Sequence, residues 1–194
     1  SIGTIGVPRT LGQIMKHPVT CYLFGGGKGD PRVLFNKETN VQDVEVNVSG
    51  GWIYGSVFGG GEDGHVMRNV TMNIDGTAKI GTWGTSYVDG NIFGGGRGFA
   101  GDAYTAGNVA GSVTMEIKNG QILCSVYGGG RLGSVGYGLY EATETDKYGT
   151  MRPDDYADDG TTEFANFKRG YVTMNITGGT IGNTKEFIVP QASN

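Results

Sequence analysis

Cysteine and proline are scarce in this chain, with two and five residues among 194. Two cysteines cannot build a disulfide framework, so stability has to come from a hydrophobic core, and 194 residues are enough for one core in a single domain spanning 1–194. Charge is thin as well. Charged residues make up 18% and the formal net charge is −4, which leaves no basic surface for neutralising phosphates, so nucleic acid is not an expected partner. There are only two histidines, His17 and His65, and neither lies in a ligand-spaced cluster such as H-E-x-x-H. No apolar run approaches the roughly 18 residues that cross a bilayer, and the sequence contains no charged-then-apolar leader, so no transmembrane segment is expected.

Glycine is what the chain has in excess. Its 38 glycines are about one residue in five, against a usual 7% or so. Without a Gly-X-Y period or abundant proline this is not collagen, and the glycine is expected to serve turns and close approaches.

A repeat organises those glycines. Segments 44–48 (VEVNV), 70–74 (VTMNI), 113–117 (VTMEI) and 172–176 (VTMNI) alternate apolar and polar residues, as half-buried strands do. Each is followed by a turn (SGG, DGT, KNG, TGG) and then by another apolar residue. Ile53, Ile122 and Ile181 stand nine positions after their first valine, and Ile80 stands ten after, as a one-residue bulge would leave it. An aromatic ring and three glycines come next: YLFGGG, SVFGGG, NIFGGG and SVYGGG, with rings at Phe24, Phe58, Phe93 and Tyr127. The shortest full unit, Val44 to Val70, is 26 residues.

Three short strands separated by glycine turns in such a unit predict an all-β parallel β-helix, a solenoid of about four to five coils stacked at roughly 4.8 Å. The rings are expected to form a ladder inside it. The glycine triplets are expected to sit where a Cβ would clash and φ is positive. The spacings 26, 43 and 59 between strand starts then call for insertions, at about 81–91, 98–109 and 133–169. GTIG occurs at both 3–6 and 179–182, so the chain is expected to begin and end at the same point of a coil, as a slice of a longer protein, as a unit capped by its own terminal segments His17-Pro18-Val19 and Phe187-Ile188-Val189-Pro190, or as a unit that stacks end to end.

Sites are sparser than architecture. Cys21 and Cys124 fall in one column three coils apart, about 14 Å, too far for a disulfide. GGKGDP at 26–31 and GGGRGFAGD at 94–102 miss the calcium-binding nonapeptide, because Asp30 comes one position early and position 100 is alanine. The stretch RPDDYADDG offers Asp154, Asp155, Asp158 and Asp159 as oxygen ligands for calcium, without EF-hand spacing. No other cofactor is expected, and no nucleophile elbow or Cys-His pair is present. The outer strand face carries Glu45, Thr71, Thr114 and Thr173 beside Asn47, Asn73, Glu116 and Asn175, a polar wall suited to water or a sugar chain. Trp83, Tyr87, Phe99, Tyr104, Tyr137, Tyr140, Tyr148 and Tyr156 lie in the insertions and are the ligand-contact candidates, since amphipathic rings in loops stack on sugars or partner proteins.

Strand V-T-M-x-I, turn, G-x-I and (V/I)-(F/Y)-G-G-G together resemble the glycine-rich β-helix repeats of large bacterial cell-surface proteins, described as adhesins and sometimes labelled immunoglobulin A proteases. The resemblance covers nearly all of 1–189 outside the insertions. It implies export to the cell surface and a passenger or spacer duty. No residue here carries a protease motif. The expected function is a non-catalytic extracellular scaffold that presents loops to a glycan or host protein. The alternatives are a polysaccharide lyase or hydrolase on the same scaffold, with Lys79, Arg97, Arg131 and Asp89 as its loose candidates, and a filament of stacked copies.

Overall fold

The alternating segments fold as strands whose apolar residues all point one way. The structure, a computed structural model, describes residues 3–5, 21–29, 39–81, 89–98, 107–136, 139–141, 150–152 and 170–182. In chain order the strands are β1 (Thr4–Ile5), β2 (Leu23–Phe24), β3 (Val44–Val48), β4 (Trp52–Ile53), β5 (Val57–Phe58), β6 (Val70–Ile74), β7 (Lys79–Ile80), β8 (Ile92–Phe93), β9 (Val113–Ile117), β10 (Gln121–Ile122), β11 (Val126–Tyr127), β12 (Leu139–Glu141), β13 (Thr150–Arg152), β14 (Val172–Ile176) and β15 (Thr180–Ile181).

All but β12 and β13 build three parallel sheets. Sheet I runs β3-β6-β9-β14, sheet II runs β1-β4-β7-β10-β15 and sheet III runs β2-β5-β8-β11. Every strand lies beside its equivalent from the next repeat, so the chain is a parallel β-helix. Coil 1 contributes β1 and β2; coils 2, 3 and 4 contribute one strand to each sheet; coil 5 contributes β14 and β15. The register is the one the sequence predicts: Val70 pairs with Val44 and Val113, Val113 with Val172, and Ile53, Ile80, Ile122 and Ile181 follow one another in sheet II. The extra residue before Ile80 is taken up in the turn, where Gly76 has φ +59° and Ala78 turns into the core. β12 and β13 pair antiparallel within the long third insertion.

The core is a stack of identical layers. Val44, Val46 and Val48, then Val70, Met72 and Ile74, then Val113, Met115 and Ile117 face Ile53, Ile80 and Ile122 across the bore. Removal from water contributes about 1.5–3 kcal/mol for each fully buried side chain of this kind. A fourth column of valines, Val41, Val66, Val109 and Val135, closes the corner between sheets III and I through isolated parallel bridges.

Two expectations are corrected here. The rings do stack, with centroids 4.7 Å apart for Phe24 and Phe58, and 4.8 Å for Phe58 with Phe93 and Phe93 with Tyr127. They stack outside the bore, however. Leu23, Val57, Ile92 and Val126 are the members of sheet III that pack on the inner core, and the neighbouring residue of each two-residue strand must point the other way. For the glycine triplets the expected Cβ clash is there and only the expected positive φ is not. None of the twelve glycines has positive φ; the positive values fall in the turns, at Gly51, Gly120 and Gly179 among others. What the triplets supply is closeness: a Cβ on Gly60 would lie 2.6 Å from the Gly96 nitrogen one coil on, and one on Gly95 would lie 2.7 Å from that of Gly130.

Short polar side chains complete the corners. The residue just before a strand accepts the backbone N–H of its counterpart in the next coil. Ser56 Oγ accepts Asn91 N–H at 3.1 Å and Asn91 Oδ1 accepts Ser125 N–H at 3.0 Å. Asp43, Asn69 and Ser112 form a second such ladder, ending on Tyr171 N–H, and His65 Nδ1 and Asn108 Oδ1 a third, ending on Ser134 N–H. These bonds satisfy backbone donors where strand pairing breaks off.

Candidate functional site

The outer face of sheet III gathers the most varied chemistry on the molecule. Its floor is the aromatic ladder, and Phe58 at its centre is wholly buried. Four residues beyond each ring, Lys28, Glu62, Arg97 and Arg131 form a bridged column of their own. Glu62 stands between two cations, with Lys28 Nζ at 3.6 Å and an Arg97 guanidinium nitrogen at 3.8 Å. Across the ladder lies Tyr22, whose ring meets Phe58 edge-on at 6.0 Å and lies under the Arg97 guanidinium at 5.1 Å. Its hydroxyl donates to Asp89 Oδ1 at 2.7 Å, so the side chain reaches from coil 1 to coil 3.

The links flanking this face differ in length. Between sheets II and III the chain has 6–22 in coil 1 and 81–91 in coil 3, whereas coil 2 has only Tyr54 to Ser56 and coil 4 only Leu123 to Ser125. Between the glycine triplet and the valine column it has 28–40 and 97–108 in coils 1 and 3, against 62–65 and 131–134 in coils 2 and 4. Of these, 6–20, 30–38, 82–88 and 99–106 lie outside the described residues, and the long links of coil 1 were not read from the sequence. On these two flanks long links alternate with short ones, while the third insertion follows Val135, between the valine column and sheet I.

The sequence candidates distribute unevenly over this frame. Asp89, Arg97 and Arg131 belong to the sheet III face. Lys79 does not: it lies on sheet II, 4.2 Å above the ring of Trp52, whose indole N–H donates to Gly81 O at 2.7 Å. Trp83, Tyr87, Phe99 and Tyr104 fall in the two long coil 3 links, outside the described residues, as do Tyr137, Tyr148 and Tyr156. Tyr140 is placed only as a backbone position in β12. The calcium candidates Asp154, Asp155, Asp158 and Asp159 also lie outside the described residues, and among those described no group of three metal-binding side chains occurs. Cys21 and Cys124 form no disulfide and belong to one column, linked through Gly55 and Gly90. The polar wall of sheet I is laced from coil to coil, Asn73 donating to Asn47 at 2.7 Å and Asn175 to Glu116 at 2.6 Å, while Thr71, Thr114 and Thr173 stay exposed.

On this face Tyr22 is kept as a neutral phenol. Burial raises the Tyr22 pKa well above its ordinary value near 10, the hydrogen bond and the negative charge of Asp89 raise it further, and Arg97 and Arg131 pull it down only in part. A neutral phenol cannot serve as a base. The sign is that of a raised group: its contribution to stability is complete below the unfolded value of about 10 and is lost as pH climbs from there toward the folded value. Ultraviolet titration of the folded protein should therefore leave one tyrosine protonated after the exposed ones have ionised, and Tyr22→Phe should abolish that late step. The faces of the inner rings are taken by their neighbours in the ladder, so among its described members Tyr127, 47% exposed, is the ring most open to a sugar or side chain.

The polar ladders and the charged column were missed in the sequence. Their signal is present as a short polar residue directly before valine or isoleucine: Ser56-Val57, Asn91-Ile92, Ser125-Val126, Asn69-Val70, Ser112-Val113, Asn108-Val109 and Ser134-Val135. No family model matches the chain, and neither a curated protein nor a solved structure is found to be similar to it.

Proposed function

We propose that this chain is a non-catalytic segment of a bacterial cell-surface scaffold, extracellular in location, that presents inserted loops for adhesion to a glycan or a host protein. The observation that carries the reading is the alternation of link lengths: coils 1 and 3 have long links on both flanks of sheet III, and coils 2 and 4 have short ones. A stack of layered valine, isoleucine and methionine provides a stiff support, and binding residues concentrate on loops held by such supports. Trp83, Tyr87, Phe99 and Tyr104 are then the contact residues that coil 3 contributes, one pair on each flank.

The lyase reading has one point in its favour, the gathering of Asp89 and Arg97 at Tyr22. Against it, Tyr22 is held neutral and Arg97 is engaged by Glu62. One experiment separates the two readings. Segments 82–88 and 99–106 are replaced by the short links of coil 2, and both proteins are applied to an array of glycans and surface proteins. The expected result is binding by the native chain, its loss in the shortened one, an unchanged melting temperature and no cleavage of any bound polysaccharide. Binding that survives the shortening, or new chain ends released from a polysaccharide, would overturn the proposal.

A further inference from the structure

The two ends of the column differ in a way that specifies a partner. At the far end, β14, β15 and β11 are the last strands of their sheets among the described residues, and none of those residues pairs with their outer backbone edges. Their side chains there are apolar and open: Tyr127 is 47% exposed, Val172 45%, Ile176 50% and Ile181 39%. An open parallel edge joined to an apolar patch is a surface that soluble proteins ordinarily cover. The polar ladders also run out there. Ser125 and Ser134 occupy the positions from which Asn91 and Asn108 each accept an N–H of the following coil.

The steps at the two ends are complementary. Among the described residues sheets I and II reach coil 5 while sheet III stops at coil 4, and at the near end sheets II and III begin in coil 1 while sheet I begins in coil 2. A second copy set one coil beyond β11 would place its β2 on β11 and its β3 on β14, both in register. Leu23 of that copy would follow Val126, its Phe24 would extend the ring ladder past Tyr127, and its Val44 and Val48 would cover Val172 and Ile176. Ser125 and Ser134 would accept the N–H groups of its Tyr22 and Asn40. One slot is claimed twice, by β15 and by the copy's β1, and both are the pair Thr-Ile within the tetrapeptide GTIG. β1 is held by two backbone bonds from Trp52 and Tyr54, which β15 can accept in its place. One neighbour pair opposes the fit, Arg131 against the copy's Lys28, and at 78% exposure Lys28 is well screened by solvent.

We infer that the β11-β14-β15 end docks the first coil of a second copy of this chain, head to tail, with β15 displacing β1 of the incoming copy. Such a contact is heterologous and does not close on itself, so association continues into filaments. Sedimentation at rising concentration tests it on three full-length proteins. The native chain is expected to pass from one chain's 20.4 kDa through two and more multiples. Ile176→Lys should remain at one chain's mass with its melting unchanged, since Ile176 is half exposed at the open end. Ile5→Asp, which loosens β1 from the contested slot, should associate at concentrations lower by about tenfold or more, a difference of 1.4 kcal/mol. A native chain that stays at one chain's mass, meaning that the end is already covered, would overturn the inference. So would a mass that stops at two, or an Ile176→Lys variant that associates like the native chain.

Discussion

Gly60→Ala should cost at least about 3 kcal/mol, the upper part of the range for overpacking, and should unfold the middle of the column. The reason is the neighbour, since Gly60 has ordinary negative φ and alanine could adopt its backbone. The added methyl would lie 2.6 Å from the Gly96 nitrogen, 2.8 Å from the Gly96 Cα and 3.1 Å from the Gly95 carbonyl carbon. Those are backbone atoms of the next coil, and they cannot turn aside as a side chain can. Relief requires prising coil 2 from coil 3, which breaks sheet pairing on both sides. Gly129→Ala is the control within the same motif. It is the equivalent residue of coil 4, and nothing lies within 4 Å of its added Cβ. There the change should be neutral or stabilising by up to about 1 kcal/mol through the unfolded chain. Denaturant unfolding of both variants, with hydrogen exchange of coils 2 and 3, provides the measurement.

Phe58→Ala should cost about 3–5 kcal/mol, the usual range for emptying a buried aromatic site. Phe58 is wholly buried, its ring stacks at 4.7 Å on Phe24 and 4.8 Å on Phe93, and Tyr22 meets it edge-on. Removing it takes away contacts on both faces and an edge, with each ring pair worth about 0.5–1.5 kcal/mol beyond area. Tyr127→Ala, at the end of the same ladder, loses a single stack and is already half exposed, so about 1 kcal/mol is expected. The large difference between two members of one ladder is the signature of a column, in which a residue matters according to how many neighbours lie above and below it. Equal losses at Phe58 and Tyr127 would mean that the rings do not act as a stack.

The coil-to-coil register was legible because it is written in three places at once. Val44, Val70, Val113 and Val172 start strands whose alternation fixes the buried face, and the isoleucine that follows each turn keeps count even through the longer turn before Ile80. The side on which the rings lie was not legible by that route. Val57-Phe58 is a two-residue strand with two apolar side chains, and alternation says only that they point apart. Glycine decides the matter: a Cβ on Gly59 would run into Val70 and the Gly94 carbonyl, so Val57 and Gly59 face the bore and Phe58 is turned outward. The sequence led to the close approach but not to its direction, and it added a positive φ that the triplets lack. The crowding is a property of two coils together, and no local propensity reports it.

The candidate site was legible in part, for a related reason. Arg97, Arg131 and Asp89 were picked as loose charges, and the fold brings them to one face because they share positions in the coil. Tyr22 was passed over. It precedes β2 where the other coils have Ser56, Asn91 and Ser125, and only the stacking of three coils carries its hydroxyl to Asp89. Lys79 was grouped with these charges by type alone, and its coil position sends it to Trp52.

Nuclear Overhauser contacts between labelled isoleucine and valine methyl groups test the stacked column most directly. Cross-peaks are expected from Ile53 to Ile80, Ile80 to Ile122 and Ile122 to Ile181, and from Val70 to Val113 and Val113 to Val172, across as many as 59 residues of sequence. A spectrum in which Val70 contacts Ile117 in place of Val113, as antiparallel pairing requires, or in which these residues show only sequence-local contacts, would contradict the stacking on which the proposed scaffold role and the proposed docking end both depend.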